Sequence, residues 1–430
     1  MQATRRPLYQ KTEVLRTMQL VKHFAASKRR RVIFAQSASD VSFGRTLIEV
    51  LMSGDVYAFK VEHELHTRGF ESQRPLILDL ARCPFLLYEI SCSASLRPSQ
   101  DCQLLFLHLG PGATWNGARI KYELRWNPAH PKESVDAASC LHFPSMLPSP
   151  IGISWSEEAS AAYPQQIIHF VPDELARELL VSGLPLQYGG AISGPTAFLD
   201  LVVARGTAGV EPIAGRPQSS ARISNAVKAL VGQGGAAQLS AACATSLEFL
   251  QGYLGQLAGL GITVCLSEDL PDAMHIGGPL LSFQRSDFDR YPLGSFGFGV
   301  ELTRELASIW WGCGCRLLGK HSKEVASAIG GALSLHWGRA KDTEGSSKTI
   351  AAYEGLAGGS ALKDRWLGAI GRGRPRLTAE LALAFYRGLS SGRGQDALKA
   401  LTADFWGLYV PVPVFLRELS RGGFDLPALP

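Results

Sequence analysis

Residues 299–312, Gly-Val-Glu-Leu-Thr-Arg-Glu-Leu-Ala-Ser-Ile-Trp-Trp-Gly, bring four groups able to hold a charge or move a proton onto one stripe of a helix. Leu302, Leu306, Ile309 and Trp310 recur at i, i+4, i+7 and i+8 and mark an apolar face. Glu301, Arg304, Glu305 and Ser308 line the other stripe, which is either a solvated surface or one wall of a cleft. On a cleft wall Glu305 would have its pKa set by its neighbours and could work as a general base. Arg304 beside it is a fixed cation suited to a carboxylate, sulfate or phosphate. On a surface, Arg304 or Lys320 would simply pair with Glu305.

Other chemistry-bearing residues carry plainer explanations. Gly388-Leu389-Ser390-Ser391-Gly392 has the G-x-S-x-G spacing of a nucleophile elbow but follows a helical stretch rather than a buried strand. Gly232-Gln233-Gly234-Gly235 lacks the Lys-Ser/Thr of a phosphate loop and reads as a connection between helices. Cys313-Gly314-Cys315 has no second ligand pair and reads as packing beneath Trp310 and Trp311. His275 lies on an apolar strand, as a core histidine or a cleft residue. Ser327, Gly331 and Ser334 are small enough to let two helices approach closely.

The run Arg304-Glu305-Leu306-Ala307-Ser308-Ile309-Trp310-Trp311-Gly312 resembles the H-E-L-A-H-Q-W-W-G helix of the gluzincin aminopeptidases, the aminopeptidase N-like zinc enzymes. Six of the nine positions match. In that family two histidines one turn apart bind zinc and the glutamate between them activates the metal-bound water. Here Arg304 and Ser308 stand at the histidine positions, and Glu305 keeps the place of the base. The family's third ligand, a glutamate nineteen residues further on, falls on Ser327.

Two further landmarks extend the resemblance. Asp272-Ala273-Met274-His275-Ile276-Gly277 sits where the family has its G-x-M-E-N strand, with His275 at the glutamate that holds a substrate amine. Phe385-Tyr386-Arg387-Gly388 resembles the Y-x-K-G or Y-x-R-G helix start, with Phe385 at the oxyanion tyrosine and Tyr386 beside it. The resemblance therefore implies a degenerate gluzincin that lacks every zinc ligand, because a guanidinium and two hydroxyls make no zinc site of useful affinity. No metal and no cofactor is expected. Glu305 is the expected catalytic base, and Met274, His275, Arg304, Ser308, Ser327 and Tyr386 are the expected substrate contacts.

The elements that would position these residues are legible more coarsely. Short runs such as 56–61, 104–107, 120–124, 167–171 and 198–203, bounded by Gly, Pro, Asn and Ser, read as strands. Helical periodicity takes over after Gly206: 236–258 is one long helix and 261–266 a short buried strand. The last 70 residues are helical, with Pro411 and Pro413 breaking the pattern. With the resemblance, the expected fold is α+β and multidomain. It has an N-terminal extension (1–46), a saddle-like β-sheet domain (47–206), a thermolysin-like domain (207–355) and a reduced helical C-terminal region (356–430).

A chain of 430 residues, 46% hydrophobic and 19% charged, has the composition of a packed globular protein. Its +5 charge is too dilute to argue for nucleic acid. The eight cysteines are sparse and sit in apolar segments, as free thiols of a reducing compartment do. No signal-peptide core and no membrane-length apolar run is present. A cytoplasmic protein with no nucleic-acid or membrane partner is expected.

Two classes of function follow. The first is a metal-independent biosynthetic enzyme in which Glu305 works on a small amine-containing molecule bearing an anionic group, by elimination, displacement or cyclisation. The second is a non-catalytic pseudopeptidase that binds a peptide or a partner subunit.

Overall fold

The computed structural model describes residues 41–53, 56–67, 76–79, 85–93, 96–101, 104–110, 112–126, 140–143, 149–150, 161–162, 165–172, 179–181, 184–185, 191–195, 201–204, 221–256, 262–266, 275–277, 280–318, 320–359, 374–406 and 408–429. Segment 134–142 aside, the chain divides into two compact units at Val203/Ala204.

The first unit is built on strand alternation. Its largest sheet contains β1 (Val41–Ser53), β2 (Val56–Thr67), β3 (Phe85–Cys92), β4 (Arg119–Trp126), β5 (Gln165–Pro172) and β6 (Ala191–Pro195), in the order β6-β5-β1-β2-β4-β3. Only the β1–β5 pair is parallel. Along β2, Phe59, Val61, His63 and Leu65 are buried while Lys60 and His66 are exposed, and Ile120, Tyr122 and Leu124 of β4 alternate with exposed Arg119 and Lys121. One face therefore holds the apolar side chains and the other faces water. On the wet face Lys60 pairs with Glu49 at 3.5 Å and Lys121 with Glu62 at 2.9 Å, exposed contacts that contribute little.

The buried face has one polar interruption. His63 joins Thr46 Oγ1 through Nδ1 at 2.7 Å and the Tyr122 hydroxyl through Nε2 at 2.5 Å. Burial pushes the pKa of His63 down to about 3, so the ring is neutral. A second, antiparallel sheet of this unit is made by Leu96–Asp101, Leu104–Leu109, Leu76–Asp79 and Ser149–Pro150.

The second unit opens on a four-stranded sheet of β7 (Ala221–Ile223), β8 (Ile262–Leu266), β9 (His275–Gly277) and β10 (Leu280–Phe283), ordered β7-β8-β10-β9. The first three are parallel, and β9 runs antiparallel along the edge of β10. Helix α1 (Asn225–Leu254) starts on the Ser224 side chain and is interrupted at Gly232, whose φ of 71° suits only glycine without strain. The sequence reading of Gly232 as a helix connection matches this break.

The remaining elements are α2 (Arg285–Arg290), α3 (Phe296–Ser308), α4 (Ser322–Lys341), α5 (Thr343–Ala357), α6 (Pro375–Leu389), α7 (Gly392–Phe405) and α8 (Val412–Arg421). Strands β11 (Arg316–Leu318) and β12 (Leu408–Pro411) pair in parallel. Helix α4 is central, packing on α3, α5 and α6.

Two expectations change here. The helix drawn over 299–312 is α-helical only to Ser308 and continues as a π-helix over Ile309–Gly314, which leaves both Trp310 and Trp311 buried. Pro413 does not break a helix but lies in the first turn of α8, where its missing N–H costs nothing. No described helix is long and apolar enough to cross a membrane.

Candidate functional site

Helix α3 is fixed by two close approaches to α4. A Cβ on Gly299 would run into the ring of Trp337, and one on Gly330 would lie 2.8 Å from the backbone oxygen of Arg304. Glycine at 330 lets α4 reach the α3 backbone, glycine at 299 makes room for the Trp337 ring, and the approach removes Glu301 and Arg304 from water. Arg304 is 6% exposed and Glu301 4%. The stripe is thus interior at Glu301 and Arg304, while Glu305 and Ser308 are half-buried at its edge.

Inside it, one guanidinium serves two carboxylates. Arg304 Nη2 donates to Glu305 Oε1 at 2.8 Å and is ion-paired with Glu301 Oε2, one turn back on the same helix. Nη1 of Arg304 is buried with no hydrogen-bond partner. Asp287, at the start of α2, is buried and accepts the Gln284 N–H at 2.7 Å. Tyr291 and Tyr353 complete the buried surroundings. The Tyr353 hydroxyl lies against Gly331 and hydrogen bonds to Ser334.

The charges do not balance, and the pKa values record it. Burial pushes Glu301 up to about 7, with Arg304 opposing the shift and Glu305 adding to it. Glu305 is also raised by burial, against the pull of Arg304. Burial alone would lower Arg304, but the two carboxylates more than offset it and the guanidinium stays charged. The Tyr291 phenol rises to about 12, through burial and then Glu301. At neutral pH the cluster therefore holds one fixed cation beside carboxyls whose burial favours the protonated form, with Glu301 shared between its two protonation states.

The residues singled out from sequence are not all brought together. Ser308 donates to the backbone oxygen of Glu305 at 2.6 Å, so its hydroxyl is spent within its own helix. Ser327 is half-buried on α4 without a hydrogen-bond partner among the described residues. His275 pairs through its backbone with Ser282, and Met274 lies outside the described residues.

Tyr386 belongs to a different cluster, with His336, Arg339 and Tyr253. No hydrogen bond, ion pair or ring contact among the described residues joins it to Arg304 or Glu305. Phe385 packs on Phe424. The G-x-S-x-G run falls at the α6–α7 junction, where Ser390 donates to the Tyr386 carbonyl at 3.0 Å and Ser391 caps α7. Neither serine is poised as a nucleophile.

Sequence reasoning passed over Glu301 as an ion-pair partner, although its place three residues before Arg304 is a helical pairing distance. Tyr291, Tyr353 and Asp287 meet the cluster from other elements, and no local spacing announces them.

No protein-family model and no curated protein matches the sequence. Solved structures do match in fold. Yeast LTA4 hydrolase, determined in complex with bestatin, superposes with a TM-score of 0.57 at 8% identity over 96% of this chain and 73% of that one. An M1 zinc metallopeptidase mutant from Deinococcus radiodurans gives a TM-score of 0.54 at 14% identity, over 92% and 97%. The same protein bound to a Tyr-Ser-Ala substrate gives 0.53 at 13%. The chain has the multidomain fold of these zinc peptidases, a mixed α and β architecture with an N-terminal sheet unit, and at such identities the likeness is one of fold.

The donor set tests whether the metal of those zinc peptidases fits here. A guanidinium offers no lone pair and repels a cation, and the one in α3 already occupies both nearby carboxylates. Ser308, one turn on, gives its hydroxyl proton to a carbonyl. Among the described residues no three His, Cys, Asp or Glu side chains form a group that could hold a metal ion. These residues do not fit zinc.

Proposed function

We propose that this chain is a peptidase-fold protein that does not hydrolyse peptides, a non-catalytic pseudopeptidase that binds a peptide or a partner subunit. The observation that carries this reading is the position of the Arg304 guanidinium, buried between Glu301 and Glu305. A glutamate serving as general base must present a free lone pair to a proton on substrate or water. Here Oε1 of Glu305 is committed to a charged donor that also serves Glu301, which leaves Oε2 alone to act as a base. Tyr386, the hydroxyl nearest in sequence to the family's oxyanion position, is directed to Arg339 instead.

One observation favours the other reading. The Glu305 side chain keeps 20% of its surface, and its pKa is raised, as an acid/base group's would be. An enzyme using it on an amine that carries an anionic group is the second proposal. Zinc titration and turnover separate both from a working peptidase. The purified chain is expected to take up no stoichiometric zinc and to cleave no aminoacyl anilide with the metal supplied. Zinc-dependent turnover that Glu305→Gln abolishes would overturn the proposal. If the enzyme reading is right, Glu305→Gln lowers the cellular function by about 10²–10⁴-fold; a binding protein keeps it.

A further inference from the structure

The sequence places an anion site at Arg304, but two carboxylates already satisfy that charge. A second arginine in the same unit has no such partner. Arg339, in the last turn of α4, is exposed, and its Nη1 donates to the Tyr386 hydroxyl at 3.3 Å rather than to an acid. No salt bridge engages it among the described residues. Around it three helices contribute rings. The ring of His336 of α4 meets that of Tyr386 of α6 at 4.4 Å and that of Tyr253 of α1 at 5.7 Å, both in tilted geometry. Phe249, one turn before Tyr253, extends the row at 5.0 Å.

The polarity of the row is set by one hydrogen bond. His336 Nε2 lies 2.9 Å from the Tyr386 carbonyl, which can only accept, so Nε2 carries the proton and Nδ1 a lone pair. Burial and the nearby Arg339 charge lower the pKa of this histidine against the pull of the carbonyl, and the ring is neutral near pH 7. Burial and then Tyr386 raise the Tyr253 phenol, which stays protonated. The cluster thus offers a fixed cation and two phenols able to donate, with the rings of His336 and Tyr386 buried and those of Tyr253 and Phe249 half-buried beside them. It contains no carboxylate.

We propose that Tyr253, His336, Arg339 and Tyr386 form a binding site for a carboxylate carried on a planar apolar stem. A guanidinium presents paired N–H donors matched to the two oxygens of a carboxylate. The phenols add donors beside it, and the half-buried Tyr253 and Phe249 rings can meet an aromatic stem by offset or edge stacking. The site is separate from the Glu301–Arg304–Glu305 cluster and does not depend on whether that cluster is catalytic.

The test is a calorimetric titration of the full chain with benzoate, with benzyl alcohol as the neutral analogue and inorganic phosphate as a bare anion. Benzoate is expected to bind with a Kd of about millimolar, as suits so small a ligand. Arg339→Ala is expected to weaken it at least about tenfold, since a hydrogen-bonded charge is lost. Tyr386→Phe, which keeps the ring, is expected to weaken it about threefold. Arg374→Ala, an exposed arginine elsewhere, should leave affinity unchanged. Binding that weakens with salt and is absent for benzyl alcohol supports the site. Failure of benzoate to bind, equal affinity in Arg339→Ala with the fold intact by circular dichroism, or equal affinity for benzyl alcohol overturns it. Phosphate binding more tightly than benzoate would overturn the planar-stem part of the assignment.

Discussion

One charge shared among three residues decides how the α3 stripe behaves. Arg304 contacts both carboxyls, but burial outweighs its pull on Glu301, the more deeply buried of the two, which holds a proton for part of the time near neutral pH. A carboxyl whose folded pKa is raised binds a proton where the unfolded chain has released it. The stability it lends is complete below its unfolded pKa of about 4.5 and is lost as pH rises through about 7. Glu301→Gln should remove this dependence, because an amide keeps a hydrogen bond to Arg304 and leaves Glu305 as the carboxyl paired with it. Chemical denaturation from pH 5 to 8 checks it. The variant should show a flatter profile and be at least as stable as the wild type at pH 8; an unchanged slope would show that Glu301 is not the titrating group.

At the scale of elements, the burial of that stripe is set by glycines on the facing helix. Gly330→Ala would bring a methyl within 2.8 Å of the Arg304 carbonyl oxygen, backbone that cannot rotate away, and should cost about 1–3 kcal/mol in urea unfolding as an overpacked core does. Gly234→Ala has no atom within 4 Å of the new methyl and lies in α1 beyond its break, so it should stabilise by about 0.4–1 kcal/mol. Equal effects of the two changes would show that the α3–α4 approach is not tight.

This contrast also explains what could be read from sequence. The alternation of Phe59, Val61, His63 and Leu65, and the helical period of Leu302 and Leu306, depend on chain neighbours and are legible there. Gly331 was legible as a close approach, while Gly330 was not, because its partner is the backbone of Arg304 on another helix. For the same reason the helix period left surface and cleft both open for Glu301 and Arg304. The change to a π-helix at Ile309 was also hidden, since Trp310 and Trp311 continue the apolar pattern through it. The resemblance to zinc peptidases could be read in sequence from six positions of one motif; the Arg339–Tyr386 pairing belongs to no motif and had no signal.

Taken as a whole molecule, the chain carries titrating groups of opposite effect in its two units. His63, in the first, is buried neutral between Thr46 and Tyr122, with a folded pKa of about 3. A base whose folded pKa is depressed takes up its proton more readily when unfolded. The stability it permits is therefore complete above its unfolded pKa of about 6.5 and is lost as pH falls toward about 3. Glu301, in the second unit, works the other way between about 4.5 and 7. Acidification from pH 6.5 to 5 should consequently weaken the first unit and strengthen the second through these two groups. Scanning calorimetry of the whole chain is expected to show two transitions that move in opposite directions as pH falls over that interval. His63→Gln should reduce the pH dependence of one transition and Glu301→Gln that of the other. A single transition in which both variants shift the same peak by the same amount would show that the two units unfold as one cooperative block, and would make the opposing slopes cancel rather than separate.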